Sequence, residues 1–455
     1  MNSHDWYGII ANYNKEVSDN LNFDFGIDGR IYKGYHYRVL NDVLGADGYT
    51  DNRDRNNPNR DITQFEEPTA SFNPWVNITD QQKIEYYNIG GVNWLGAFGQ
   101  VEYKTEKVST FIQFGASNQG FQRTDEFNLP KDVDGDGVDE PKTSDVENMI
   151  GYNVKRGLNY NVSEKHNVFF NTGYYSKQPN FGAVFQHYTD NDVTENLTNE
   201  KILGVEVGYG YKSGNYKLNL NAYRTSWKDR FLRTSSGFDT TGDHNNDTFG
   251  TANLQGVEQI HTGIEIETSL RFNKLKLNGM LSVGNWEYNK DVTARFFDEN
   301  NDPIIEFGET EAADKTLYLE GKKVGDAAQL TANLGLSYNI TDNFKFDLSQ
   351  RYVGKLYAQI DASGFKNEDT ESLELPGYSL IDTGLSYKYR MKGSKYFKLR
   401  LNVNNLMDKL YISESATNYS VGRYGNFDTF KGINTDNRVY FGVGRTWNAA
   451  VSFNF

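Results

Sequence analysis

Two neighbouring stretches near the middle of the chain constrain its fold more than any other feature. Ile264, Ile266, Thr268, Leu270 and Phe272 alternate with Glu265, Glu267, Ser269 and Arg271. After Asn273-Lys274, Leu275, Leu277, Gly279, Leu281 and Val283 alternate with Lys276, Asn278, Met280 and Ser282. A period of two marks β-strands with one apolar and one polar face. The pattern returns where Phe397, Leu399, Leu401 and Val403 oppose Lys398, Arg400, Asn402 and Asn404. It closes the chain, where Trp447, Ala449, Val451, Phe453 and Phe455 oppose Thr446, Asn448, Ala450, Ser452 and Asn454. Charges at strand-interior positions are costly in a sandwich core. Two arrangements accept them: a soluble sheet with one wet face, or a membrane barrel whose polar row lines a lumen.

Connection lengths separate the two. Strand pairs are expected at Asp5–Tyr13 with Leu21–Tyr35, Leu95–Tyr103 with Val108–Ser117, and Asn148–Tyr160 with Asn167–Tyr175. Further pairs are Ile202–Tyr211 with Tyr216–Lys228, Gly263–Phe272 with Lys274–Asn285, Ala328–Tyr338 with Phe344–Tyr357, and Leu380–Tyr389 with Tyr396–Asn404. A last strand runs over Val439–Phe455. Partners within a pair are joined by turns such as Ser163-Glu164-Lys165, whereas successive pairs are separated by connections read as tens of residues. Short periplasmic turns and long extracellular loops are the outer-membrane arrangement. The expectation is therefore an all-β fold, a transmembrane antiparallel β-barrel of about 15 strands.

Composition agrees. Only 37% of the 455 residues are hydrophobic, too few for a thick soluble core, yet 15% are aromatic. No apolar run approaches the ~20 residues of a membrane-spanning helix, which a barrel does not need. A net charge of -14 argues against a nucleic-acid partner. The absence of cysteine removes disulfides and thiolate chemistry. The six histidines form no H-x-x-x-H or H-E-x-x-H pair, and no G-x-S-x-G elbow occurs, so an enzyme is not expected. The odd strand count adds one expectation. A single-chain bacterial barrel has an even number of strands, so residues 1–455 read as the C-terminal part of a larger barrel. The first residues, Met1–Glu16, lack the basic and apolar regions of a signal peptide, in keeping with that reading.

Several stretches carry a family resemblance. Leu401–Tyr411 (LNVNNLMDKLY) resembles the penultimate-strand motif of TonB-dependent outer-membrane receptors, particularly those of the Bacteroidetes. Arg445–Phe455 (RTWNAAVSFNF) resembles their closing strand. Gly26–Arg38, Asn171–Phe181, Ala222–Arg230 and Val324–Tyr338 are similar to barrel segments of the same receptors, so the likeness covers essentially the whole chain. The resemblance implies an outer-membrane barrel of about 22 strands around an N-terminal plug. It implies that plug, TonB box and the first strands have no counterpart here, and that TonB would act only through the plug. The implied function is uptake of a scarce ligand such as a ferric siderophore or other metal chelate. SusC-like glycan uptake, a passive pore and a ligand-binding barrel are the alternatives. The implied partners are outer-membrane lipid and the assembly machinery, which would read Phe455 and Phe453 as a C-terminal signal.

One local motif points to a cofactor. Asp132, Asp134 and Asp136, followed by Gly137, place alternate carboxylates before a glycine, as at the start of a calcium-binding loop. The twelfth position is Thr143 rather than glutamate, so Asp139 or Glu140 would complete the set, against a plain solvated acidic loop. Ala46–Asp61 reads as a solvated Asp/Arg loop or a ligand-capturing one, and Asp243–Asp247 has metal-binding residue types without a recognisable spacing. Trp6, Tyr7, Tyr387, Tyr389 and Trp447 are expected at the membrane boundary. Loop aromatics Trp75, Phe185, Tyr188, Tyr419, Tyr424 and Phe427 are expected mostly to pack loops together. No ligand-binding residue is singled out.

Overall fold

The computed structural model describes residues 1–65, 82–127, 142–186, 191–242, 248–298, 302–362, 364–422 and 425–455. Among them one large antiparallel sheet carries the main strands in chain order, and five two-stranded ribbons lie in the connections. These are β1 (Asn2–Ser18), β2 (Leu21–Val39), β3 (Lys83–Lys104), β4 (Val108–Asp125) and β5 (Glu147–Asn161). Next come β6 (His166–Lys177), β7 (Glu200–Ser213), β8 (Tyr216–Phe238), β9 (Thr248–Phe272) and β10 (Leu275–Tyr288). The series ends with β11 (Leu330–Asn339), β12 (Phe344–Gly354), β13 (Tyr378–Arg390), β14 (Tyr396–Asn404) and β15 (Thr446–Asn454). Every neighbouring pair is consecutive in sequence, the meander that short turns enforce. β1 and β15 each have one neighbour in this sheet and are exposed along almost their whole length.

All the expected pairs form, but several strands run longer than expected: β1 covers Asn2–Ser18, β3 starts at Lys83 rather than Leu95, and β4 runs to Asp125 rather than Ser117. Three further departures change the connections. The connection after β8 is residues 239–247, not tens of residues, because β8 and β9 continue pairing far past their apolar segment. Tyr357 is not part of β12: Lys355 turns with φ 48, and Leu356–Tyr357 pairs instead with Glu374–Leu375. The last strand does not run unbroken from Val439. Val439–Phe441 pairs with Ile412–Ser415 in a separate ribbon, and the barrel strand resumes at Thr446.

Register fixes the faces. On β9, Ile264, Ile266 and Leu270 point outward beside Ala222, Leu220 and Tyr216 of β8. Glu265 and Glu267 point into the lumen, where Asn221 Nδ2 donates to Glu265 Oε2 at 3.2 Å. The lumen row also carries aromatics that break simple alternation, and glycines explain how they fit. A Cβ on Gly26, Gly157 or Gly208 would run into the rings of Phe98, Phe111 and Phe169. On Gly263 it would lie 2.5 Å from the Tyr223 hydroxyl, and on Gly284 2.7 Å from the Trp286 indole nitrogen. Each ring therefore lies flat on the wall over a residue without a side chain.

The connections after the even strands pack on one another. Phe238, Leu254 and Val257 of the β8–β9 hairpin share a core with Val292, Phe296, Leu317 and Leu319, and with Ile360 and Phe365. A second core joins Leu356 and Leu375 to Ile412 and Ile433. The motif-bearing segment after β14 closes the final loop. Buried Asn405 turns with φ 48, donates to the carbonyls of Lys409 and Val443, and accepts from Lys409 N. Asp408 Oδ1 accepts from Arg445 N at 2.8 Å, which ties the foot of β15 to the end of β14.

Candidate functional site

Below that loop cap, the lumen wall of β6 to β10 carries a continuous surface of rings and cations. Trp227 donates its indole N–H to Glu200 Oε2 at 3.1 Å, and Lys177 Nζ holds the same oxygen at 2.9 Å. Two register shifts follow on β8, one on each side of Arg230, and Asp229 takes φ 55. These bulges re-aim the chain. They lay the Arg230 guanidinium over the Trp227 ring, 4.0 Å from its centroid, while Nη1 donates to Gln259.

Gln259 passes the arrangement on to the next strands. His261 Nε2 lies 3.2 Å from Gln259 Oε1, and its ring stacks on Trp286 with centroids 5.3 Å apart and planes 17° apart. Trp286 donates its indole N–H to the Tyr223 hydroxyl at 3.0 Å. Above this band opens a cavity of about 270 Å³ between wall and cap, bounded by Arg230, Arg233, Gln259, Tyr288, Asp326 and Gln359 among others. Arg230 Nε is buried there without a hydrogen-bond partner. Partial burial first, then the nearby Glu414 carboxylate, push the Asp326 carboxyl up from its usual range, against a hydrogen bond from Gln359. An array of ring faces beside guanidinium and ammonium groups suits a ligand that is both planar and oxygen-rich or anionic.

These residues were not singled out by sequence, although Ala222–Arg230 contains Tyr223, Trp227 and Arg230. The usable signal was a ring on a polar row with glycine opposite it, as Tyr223 has Gly263. The residues that were singled out lie elsewhere. Asp132, Asp134, Asp136 and Glu140, with Asp243–Asp247, fall outside the described residues, as do Trp75, Tyr188 and Tyr424. Thr143 is described, and its hydroxyl lies 2.9 Å from that of Thr124 on β4. Among the described residues no group of three or more His, Asp or Glu is arranged to hold a metal.

The charges of Ala46–Asp61 are largely engaged within the loops. Buried Asp51 accepts from Arg53 N and Arg60, and buried Asp54 accepts from the backbone of Asn56 and Asn57. Phe185 and Tyr419 are buried as packing residues, whereas Phe427 is exposed. Trp6 departs from expectation. Its register opposite Tyr32 puts it on the lumen row, while Tyr7 faces outward. Phe453 stacks on Phe397 of β14 on the outward face, with centroids 4.6 Å apart, and Phe455 is 89% exposed.

Residues 1–406 match the family described as TonB dependent receptor-like, beta-barrel. Among solved structures, the ferric-catecholate import receptor Fiu from E. coli K12 aligns with all of this chain at 15% identity and TM-score 0.58. The copper transporter OprC aligns over the whole chain at 13% identity and TM-score 0.63. The ferric yersiniabactin uptake receptor FyuA from Yersinia pestis does so at 14% identity and TM-score 0.56. The chain spans only 55%, 57% and 55% of those three proteins, respectively. No curated protein matched it in sequence.

Proposed function

Because this chain belongs to the TonB-dependent receptor β-barrel family, whose members are outer-membrane transporters, we propose that it takes up a ferric siderophore or another metal chelate. The observation that carries the reading is the band Lys177–Trp227–Arg230–His261–Trp286–Tyr223 on the lumen wall beneath the cap. A chelate with aromatic or carboxylate arms presents flat faces and anionic oxygens, and the band supplies a partner for each. The printed names of several structural relatives, which include a ferric-catecholate and a ferric yersiniabactin receptor, point the same way. Energy coupling would pass from TonB through the plug of the receptor, with the barrel wall providing one side of the ligand chamber.

Binding of ferric catecholate, ferric citrate and oligosaccharide probes to the purified receptor, followed by tryptophan quenching, tests this. At least one iron chelate is expected to bind, with affinity reduced about tenfold or more by Arg230→Gln or Trp286→Ala. Failure of every chelate, with binding of an oligosaccharide, would replace the reading by glycan uptake.

A further inference from the structure

The cavity between wall and cap is bounded by charges of both signs that do not pair with each other. Arg230 enters it from β8, and Asp326 from the connection between β10 and β11. Arg230 makes no ion pair among the described residues. The carboxylate whose charge reaches it, Glu200, is held by Lys177 and by the Trp227 indole. Its Nη1 donates to Gln259, while Nε is buried without a partner. Asp326 is the one carboxylate among the described residues that bound the cavity. The side chains acting on it are the Glu414 carboxylate and the Gln359 amide, with no basic group among them.

Backbone irregularities hold both groups in place. Arg230 stands between two register shifts and follows Asp229, whose φ is 55. Asp326 itself has φ 64, and its N–H donates to the Tyr357 carbonyl at 3.2 Å. The preceding Gly325 packs so closely that a Cβ would lie 2.3 Å from the Ala358 carbonyl oxygen. A left-handed residue other than glycine persists where its surroundings over-determine it, and such residues cluster at ligand sites. Between the two charges the lining is apolar, from Leu232, Val324 and Ile360. The volume of about 270 Å³ equals the share of roughly nine waters in the liquid, room for a small terminal group.

We propose that this cavity receives the α-amino acid end of the ligand, with its carboxylate against Arg230, its ammonium against Asp326 and its aliphatic carbons against Leu232, Val324 and Ile360. The inference rests on the uptake reading for the remainder of the ligand, whose chelating part would lie on the ring band below. A carboxylate by itself would satisfy Arg230 but add an anion beside Asp326 and Glu414. An amine by itself would satisfy Asp326 and leave Arg230 Nε unmatched, and a neutral sugar would compensate neither charge. A zwitterion makes a charge-assisted hydrogen bond at each end. Discrimination follows from what is left unpaired when an end is missing, because a polar site rejects the analogue that lacks its partner.

The test uses metal-free probes on the purified full-length receptor in detergent, titrated by saturation-transfer NMR. The probes are L-valine, isovalerate, which lacks the ammonium, and isobutylamine, which lacks the carboxylate. L-Valine is expected to bind about tenfold or more tighter than either. Asp326→Asn should erase its advantage over isovalerate and keep the one over isobutylamine, and Arg230→Gln should do the reverse. A general loosening of the cavity would not produce that crossed pattern. Folding of every variant is confirmed by heat-modifiable gel mobility. Equal affinity for the three probes, absence of L-valine binding, or loss of both advantages in either variant overturns the proposal. Chelate binding without a preference for L-valine sinks this inference alone, whereas that preference with failure of every chelate sinks the uptake reading alone.

Discussion

The glycine–ring pairs on the lumen wall make a prediction that can be worked from distances. In Gly263→Ala the new Cβ would stand 2.5 Å from the Tyr223 hydroxyl and 2.6 Å from Cζ, where relaxed contact begins near 3.4 Å. The ring must therefore move about 0.9 Å off the wall, and overpacking of this kind costs about 1–3 kcal/mol. That movement also strains the 3.0 Å bond from Trp286 to the Tyr223 hydroxyl, worth roughly 1 kcal/mol. Against this, alanine recovers about 0.5–1 kcal/mol of backbone entropy relative to glycine in a strand. Overpacking wins, and a net loss of about 1–3 kcal/mol is expected. Gly204→Ala is the internal control, because its Cβ would meet nothing closer than Thr225 Oγ1 at 3.7 Å. It should be neutral or stabilising by up to about 0.5–1 kcal/mol. Reversible urea unfolding in lipid vesicles, followed by tryptophan fluorescence, measures both. Removing the ring in Gly263→Ala/Tyr223→Leu should recover most of the overpacking loss. Equal behaviour of the two alanine variants would refute the claim that rings, rather than backbone geometry, require glycine on this wall.

Other perturbations probe other parts of the chain. Arg156 is exposed on the outward face between Ile112 and Thr172, with Val154 and Leu158 above and below it. Arg156→Leu should stabilise the folded protein in bilayers by about 1–3 kcal/mol in the same unfolding assay, and a loss would show that the guanidinium has found a polar partner. Asn405→Ala removes three hydrogen bonds from a buried turn and should cost about 2–3 kcal/mol locally, seen as faster proteolysis within residues 405–445. Deleting Phe455 should lower outer-membrane levels of the receptor severalfold in a quantitative blot if the closing aromatic is an assembly signal, and unchanged levels would dismiss that role. If Asp132, Asp134, Asp136 and Glu140 bind Ca²⁺, titration calorimetry should show one calcium site that Asp134→Asn abolishes.

The hairpins were legible because a barrel strand exposes each face to a different medium, so Leu275–Val283 or Phe397–Val403 announces itself by alternation alone. The β8–β9 extension was not, since Arg230 sits in a double bulge and beyond it Leu232 and Leu254 pair outside any lipid-facing pattern. Polar residues such as Thr234 and Ser235 there look like loop, yet the ladder satisfies their backbone. The split of the last strand turns on Asn405 and Asp408, whose bonds to residues 443–445 close the loop across distant sequence. The ligand band was hidden for a related reason. Tyr223, Trp227 and Trp286 interrupt the polar row; cross-strand register shows that Gly263 makes room for Tyr223, and Gly284, two residues before Trp286 on the same strand, makes room for that ring.

The shared cores beneath the loops also govern how such a receptor diversifies. Phe296 and Leu317 of the β10–β11 connection occupy one core with Phe238 of the β8–β9 hairpin and Phe365 of the β12–β13 connection, and Leu375 with Ile412 extends the linkage to the final loop. A chimaera that imported one of these loops from another receptor would leave its neighbours with unmatched apolar surface. Inheritance therefore acts on the cap as a block, and recombination breakpoints within it are disfavoured. Single substitutions are tolerated mainly on its skin, at exposed positions such as Phe249, Phe307 and Phe427.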